Sequence, residues 1–259
     1  MSWSPKKLLI LTKTYPIPSK THSEITCTAA LTPEGRMWRI FPIPFRCLEK
    51  DAQFPKWTWI EALTRKAPND RRPESHQVIF KDIKVEGPRI DTKNKWAERL
   101  DLLRPHIVDN FNELEQRRLT SKESLGIIRP VRMLDLIIED EPEPEWTDLQ
   151  IQYLQSEGLF TAEEAKSRPL LRKLPLRFYY VYECDGPNGV TTHRHKVTDW
   201  EMGATYWHFL RRYGEEGWKD KFLQKYKDEF SSKNLHFLMG NMFEAQDKWL
   251  IVGFFYPPK

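Results

Sequence analysis

The chain has little glycine, few cysteines, no long apolar run and almost no net charge, and each shortage excludes a class of function. The 11 glycines among 259 residues form neither a phosphate-cradling loop nor a dinucleotide fingerprint. Both motifs need glycines at fixed spacing so that backbone N–H groups can close on a phosphate. Nucleophile-elbow, metalloprotease and deaminase signatures are absent too. Cys27, Cys47 and Cys184 are too scattered for a zinc knuckle or a redox pair and read as reduced core thiols. No apolar run approaches the ~18 residues of a membrane span, and no charged-then-apolar leader is recognisable. The expectation is a cytoplasmic protein that meets no membrane and calls for no cofactor. Lys and Arg number 41 against 37 Asp and Glu, so the molecule is no polycation and any nucleic-acid footprint must be local.

What is present is aromatic. Phe, Trp and Tyr make up 13% of the chain, too many for a disordered protein. Between residues 12 and 46 they are interleaved with cations: Lys13-Thr14-Tyr15-Pro16, then Lys20, then Arg36-Met37-Trp38-Arg39-Ile40-Phe41-Pro42 and Arg46. A groove for single-stranded nucleic acid needs both kinds, cations to follow phosphates and flat groups for bases to stack on. The acidic counterweight is the run from Glu139 to Glu145.

Short apolar or alternating stretches at 7–12, 24–31, 37–41, 57–63 and 78–85 predict about five strands, a number that suits a small closed barrel. Apolar residues at helical spacing follow over 94–116, with Pro105 as a breaker. Strands are predicted again at 127–138, 176–184, 190–197, 235–239 and 249–255. A helix begins after Asp199, a good N-cap, and closes at Gly214, and a second covers 218–230. The reading is a mostly β, α+β protein of two halves, residues 1–125 and 126–259.

In 36–42 alternation puts Arg36, Trp38 and Ile40 on one face and Met37, Arg39 and Phe41 on the other. Neither face is cleanly apolar, as it would be in a half-buried structural strand. The proline-rich segment 12–20 reads as a loop with Lys13 and Lys20 exposed. Arg71 or Arg72 could fork onto a phosphate beside Glu74, although self-paired surface charge explains that cluster as simply. His193-Arg194-His195, with Cys184 across a hairpin, has the residue types of a metal or acid-base site but no further ligand at a fixed spacing. Glu201 at a helix start is explained by the helix dipole.

Lys13-Thr14-Tyr15-Pro16 and the run from Gly35 to Arg46, together with Arg72-Pro73-Glu74-Ser75, Asp199-Trp200-Glu201, Tyr206-Trp207, Leu210-Arg211-Arg212-Tyr213-Gly214 and Gly253-Phe254-Phe255-Tyr256-Pro257-Pro258, resemble the bacterial dual OB-containing domain family over nearly the whole chain. The sequence departs from that pattern at Gly240-Asn241-Met242-Phe243. The resemblance implies two small OB-like barrels with helical additions, nucleic-acid binding, and association with prokaryotic antiphage defence proteins. It implies no catalytic residues. The expected function is therefore binding of single-stranded or opened DNA or RNA. Phosphates would meet Lys13, Lys20, Arg36, Arg39, Arg46 and Arg72, and bases would stack on Tyr15, Trp38 and Phe41. The alternatives are a hydrolase or nuclease using Glu74, His193, His195 or Glu201, and an adaptor for an acidic protein partner.

Overall fold

An unbroken run, Leu8-Leu9-Ile10-Leu11, sits inside a strand, and a strand buried on one face only would alternate instead. The computed structural model, which describes residues 2–156 and 169–259, shows the reason. Strand β1 (Ser4–Lys13) is covered on both sides. Leu8 and Ile10 point into a barrel with Ala30, Ile40 and Ile60. Leu9 and Leu11 point out of it, against Leu238, Val252 and Phe255 of the second half. Each such side chain contributes about 1.5–3 kcal/mol by leaving water, so this one strand anchors both the barrel core and the contact between halves.

The barrel is made by β1, β3 (Ser23–Leu31), β4 (Met37–Ile43), β5 (Trp59–Lys66) and β6 (Ser75–Val78), with β2 (Ile17–Ser19) and β7 (Lys84–Glu86) as short additions. Its order is β1-β3-β4-β6-β5, and β5 pairs back to β1. Closure depends on a bend in β1: Ser4 to Leu9 pair with β5, and Leu9 to Lys13 pair with β3. The contact between β4 and β6 is parallel and the rest are antiparallel.

Helix α1 (Lys93–Leu103) leads to β8 (Ile107–Val108) and α2 (Phe111–Ser121), and then into a second sheet. That sheet holds β9 (Leu125–Ile128), β10 (Arg132–Asp140), β11 (Leu176–Cys184), β12 (Thr191–Val197), β13 (His236–Asn241) and β14 (Trp249–Phe255). Helix α3 (Asp148–Gln155) precedes β11, and α4 (Trp200–Leu223) lies between β12 and β13. The order is β10-β11-β12-β14-β13-β9, with β12 and β14 parallel and the short β8 added parallel to β9 at the edge. Strands β9 and β10 are consecutive in the chain, and together they do what bent β1 does in the first half. Counting each pair or bend as one strand, both halves run first-second-third-fifth-fourth, with the third and fifth parallel. The fold is mostly β, built from two small OB-like barrels with helical additions.

Several elements differ from the sequence expectation. The predicted strand 78–85 is interrupted by a single 3-10 turn at Phe80–Asp82. Residues 127–138 are two strands, since Pro130 cannot donate to a ladder. The predicted helix 94–116 is two helices, and Ile107 belongs to a strand between them. Its first residues Asn94, Lys95 and Trp96 have φ of 46°, 55° and 64°. That left-handed turn lays the Trp96 ring against Phe255 and Tyr256. Asp199 caps α4 as expected, its side chain accepting from Met202 N at 2.9 Å. The helix breaks at Gly214, whose φ of 71° suits a residue without Cβ, and then continues. Among the described residues no helix is long and apolar enough to cross a membrane.

The halves are also tied by polar contacts. Thr12 Oγ1 donates to Val252 O at 2.8 Å, and Tyr15 N donates to Thr198 O at 2.7 Å. Gly253 is required beside Thr12, because a Cβ there would overlap the threonine side chain.

Candidate functional site

Strands β3 and β4 send Ala30 and Ile40 into the barrel, and alternation therefore sends Ala29, Leu31, Met37, Arg39 and Phe41 outward. The second half seals Ala29, Leu31 and Met37. Beyond that seal the same face opens into a cleft of about 590 Å³. Cys27, Arg39 and Phe41 line it from the strands. Thr14 and Ile17 enter from the segment after β1, and residues 67–70 and Arg72 enter from the loop between β5 and β6. The far wall is 240–244 with Leu250 and Val252, from the second half. Gly240 permits the approach, since a Cβ there would lie 3.3 Å from an Arg39 guanidinium nitrogen.

The walls are unusually apolar for a surface. Phe41 is 41% exposed, Phe243 55%, Ile17 54% and Met242 41%. Large apolar side chains left in water side by side mark a binding surface more often than single exposed ones do. Phe41 and Phe243 make no ring contact with each other among the described residues.

The floor is cationic and buried. Arg39, 6% exposed, donates from Nη2 to Ser124 O at 2.9 Å and from Nη1 to Cys27 Sγ at 3.3 Å, while its Nε has no partner. No carboxylate lies in ion-pairing range of it among the described residues. The Glu74 carboxylate is one group away, accepting from Ser124 N at 2.6 Å and Ser124 Oγ at 3.1 Å. Arg72 is neutralised instead. It pairs with Asp70 at 2.6 Å and donates to Asn241 O across the cleft at 3.0 Å. Burial works to raise the Asp70 carboxyl, but hydrogen bonds led by Arg72 outweigh it and hold the group at about 2. Lys66 Nζ fixes this loop by donating to Asp70 O, Arg72 O and Ser75 O.

The residues named from the sequence are divided by the fold. Arg39, Phe41 and Arg72 are brought together in the cleft. Trp38 stands just beside it, stacked on His76 at 3.5 Å between centroids and 5° between planes. Lys20 and Arg36 are exposed elsewhere. Lys13 was expected in solvent, but it is buried, donating to Phe54 O at 2.8 Å with its Nζ 3.7 Å above the Phe45 ring. Burial, and then the charge of Lys56, lowers it to about 7. Tyr15 packs between the halves, donating to Arg172 O and accepting from Trp207 Nε1. Arg46 pairs with Glu24 at 3.1 Å. Lys13, Arg39 and Arg72 are thus internal charges where exposed ones were expected.

The residues of the enzymatic alternative are likewise engaged. Glu74 holds Ser124, and Glu201 lies 3.2 Å from Lys56 Nζ. His193 and His195 pack on Phe111, and His195 Nδ1 lies 3.0 Å from Tyr182 Oη. Burial, and then neighbouring His193, lowers His195 to about 4. Among the described residues no group of three or more His, Cys, Asp or Glu could hold a metal ion.

Ile17, Cys27, Met242 and Phe243 are cleft residues that sequence reasoning did not select. The available signal was the pair Met242-Phe243, two large apolar residues set directly before the polar turn 244–248.

Comparison with protein families gives two matches: the family described as Domain of unknown function (DUF8757) over residues 107–259, and Domain of unknown function (DUF8758) over residues 4–105. No curated protein matches. Among solved structures, one chain of "Structure and Conformational Change of a Replication Protein A Heterotrimer Bound to ssDNA" aligns with a TM-score of 0.24 and 9% identity. The alignment covers 100% of this chain and 66% of that one, so this chain spans just under two thirds of that chain's length. A likeness at that TM-score carries no argument about fold or function.

Proposed function

This chain belongs to the family described as Domain of unknown function (DUF8757), and from that premise and the geometry of the cleft we propose that it binds single-stranded or locally opened DNA or RNA without chemistry of its own. One observation carries the reading. The exposed apolar cleft lies on the outer face of the second and third barrel strands, flanked by the loop after the first strand and the loop between the fourth and fifth. In OB barrels that face and those two loops bind oligonucleotides and oligosaccharides. Exposed Phe41 and Phe243 suit base faces better than sugar hydroxyls, which would need a denser set of polar side chains. Lys20 and Arg36 are the exposed cations, from the original set, available to phosphates outside the cleft. The accessory role in antiphage defence that the resemblance implies belongs to the same proposal.

Fluorescence anisotropy of labelled single-stranded DNA and RNA at two salt concentrations, with duplex competitors, tests it. Micromolar or tighter binding that weakens with salt is expected. Flat traces at low salt for both polymers would sink the reading.

A further inference from the structure

Resting on that reading, we propose that the cleft takes one nucleotide, its base between the apolar walls and its phosphate toward Arg39, and not a run of stacked bases. Three observations converge on a single unit. The cavity of about 590 Å³ falls in the range of small-molecule pockets, about 300–1,000 Å³. Its walls present Phe41 from one half and Phe243 from the other, two flat surfaces that leave each other free. Its charges do not form a track: among the described residues the Lys and Arg side chains lining it are Arg39 and Arg72, both buried, and Asp70 and Glu244 line it too. A polymer threading the cleft would need cations spaced along its length to follow successive phosphates. Lys20, Arg36 and Arg46 do not line it.

Arg39 gives the ligand its sign. A buried guanidinium with only neutral partners is costly unless an anion or strong acceptor completes it. Ser124 and Cys27 leave donor capacity unused, and Arg72 cannot play this part because Asp70 already satisfies it. The shared chemistry is therefore a heteroaromatic base carrying a phosphate. Its source is either a free mononucleotide or a base swung out of a strand, at an end or at an opened position.

Two arms of one experiment separate these sources from each other and from the parent reading. The first titrates AMP, GMP, CMP and UMP, with the matching nucleosides, into the full chain by calorimetry. The second binds a single-stranded oligonucleotide carrying one 2-aminopurine, moved through successive positions, while anisotropy of a distant label reports binding. The expected result is that a monophosphate binds better than its nucleoside. The 2-aminopurine signal should change at one position only, and that change should be lost in Phe41→Ala and in Phe243→Ala, both exposed positions whose circular dichroism should be unaltered. Oligonucleotide binding with no position-specific signal and no calorimetric binding of monophosphates would overturn the inference and leave nucleic-acid binding standing. Monophosphate binding without oligonucleotide binding would uphold the pocket and overturn the polymer reading. Silence in both arms would overturn both.

Discussion

Lys56 Nζ lies 2.7 Å from Asp199 Oδ2, so a lysine of the first barrel neutralises the residue that caps the long helix of the second. Burial works to lower Lys56, but the carboxylates of Asp199 and Glu201 outweigh it and hold the ammonium above its ordinary range. Removing Lys56 leaves the buried Asp199 carboxylate without its cation, at a cost of about 3–5 kcal/mol. Lys56→Met should therefore lower the urea midpoint sharply. Adding Asp199→Asn, which removes the charge but keeps an acceptor for the helix N-terminus, should recover much of the loss. Strictly additive losses in that double-mutant cycle would show that the pair is not coupled.

Lys13 is the opposite case, a lysine held at about 7 by burial, below its ordinary 10.5. Between those values the unfolded chain binds more protons than the folded one, so stability should rise as pH rises from 7 to 10.5. Lys13→Met should flatten that rise. Thermal unfolding of both proteins at pH 7 and pH 9.5 measures it, and parallel slopes would mean that Lys13 keeps an ordinary affinity for its proton.

His195 acts at the acid end. Held at about 4 against an ordinary 6.5, it binds fewer protons folded than unfolded across that interval, so stability should fall as pH drops from 6.5 to 4. His195→Gln should lose less stability than the native protein between pH 7 and pH 4.5, as judged by chemical denaturation. An equal loss would assign the acid sensitivity to other groups.

Guanidiniums already engaged within the fold change how the nucleic-acid proposal is to be probed. Arg39 holds Ser124 O, and Arg46 holds Glu24 and Pro169 O. Arg39→Ala should cost about 1–3 kcal/mol by stranding its buried partner, so an affinity lost together with stability would be uninformative about phosphates. Lys20→Ala with Arg36→Ala alters only exposed cations and should leave stability within about 0.5 kcal/mol. If those two contact phosphates, the slope of log affinity against log salt becomes shallower in this double variant. An unchanged slope would move the phosphate track elsewhere.

Much of the fold was legible because local rules decided it. The run 8–11 marked a strand and Asp199 a helix start, each from chemistry within a few residues; Gly214 read as a helix end, and the structure makes it a kink. The break at Pro130 was readable in principle, but β9 and β10 pair with different neighbours, and pairing partners are not written locally. The cleft was half legible. Alternation separated Arg39 and Phe41 from Trp38, yet nothing in 36–42 says that another part of the chain covers Met37 and leaves Phe41 bare. Cations seemed to belong in water because their partners, Ser124 for Arg39 and Asn241 for Arg72, are 85 and 169 residues away.

The hydrogen bond from Thr12 to Val252 spans 240 positions of sequence. Contacts of such long range form late, because their loop-closure entropy must be met before they repay it. The first barrel holds its own closed sheet within residues 4–86, whereas the wall of the cleft arrives only with residues 240–252. During synthesis an emerging chain therefore carries Leu9, Leu11, Ala29 and Leu31 on a finished barrel, beside Phe41, with their cover still unmade. The adhesive period of this protein's life falls before its last strands are translated, and the ligand face and the aggregation hazard are one surface seen at two moments.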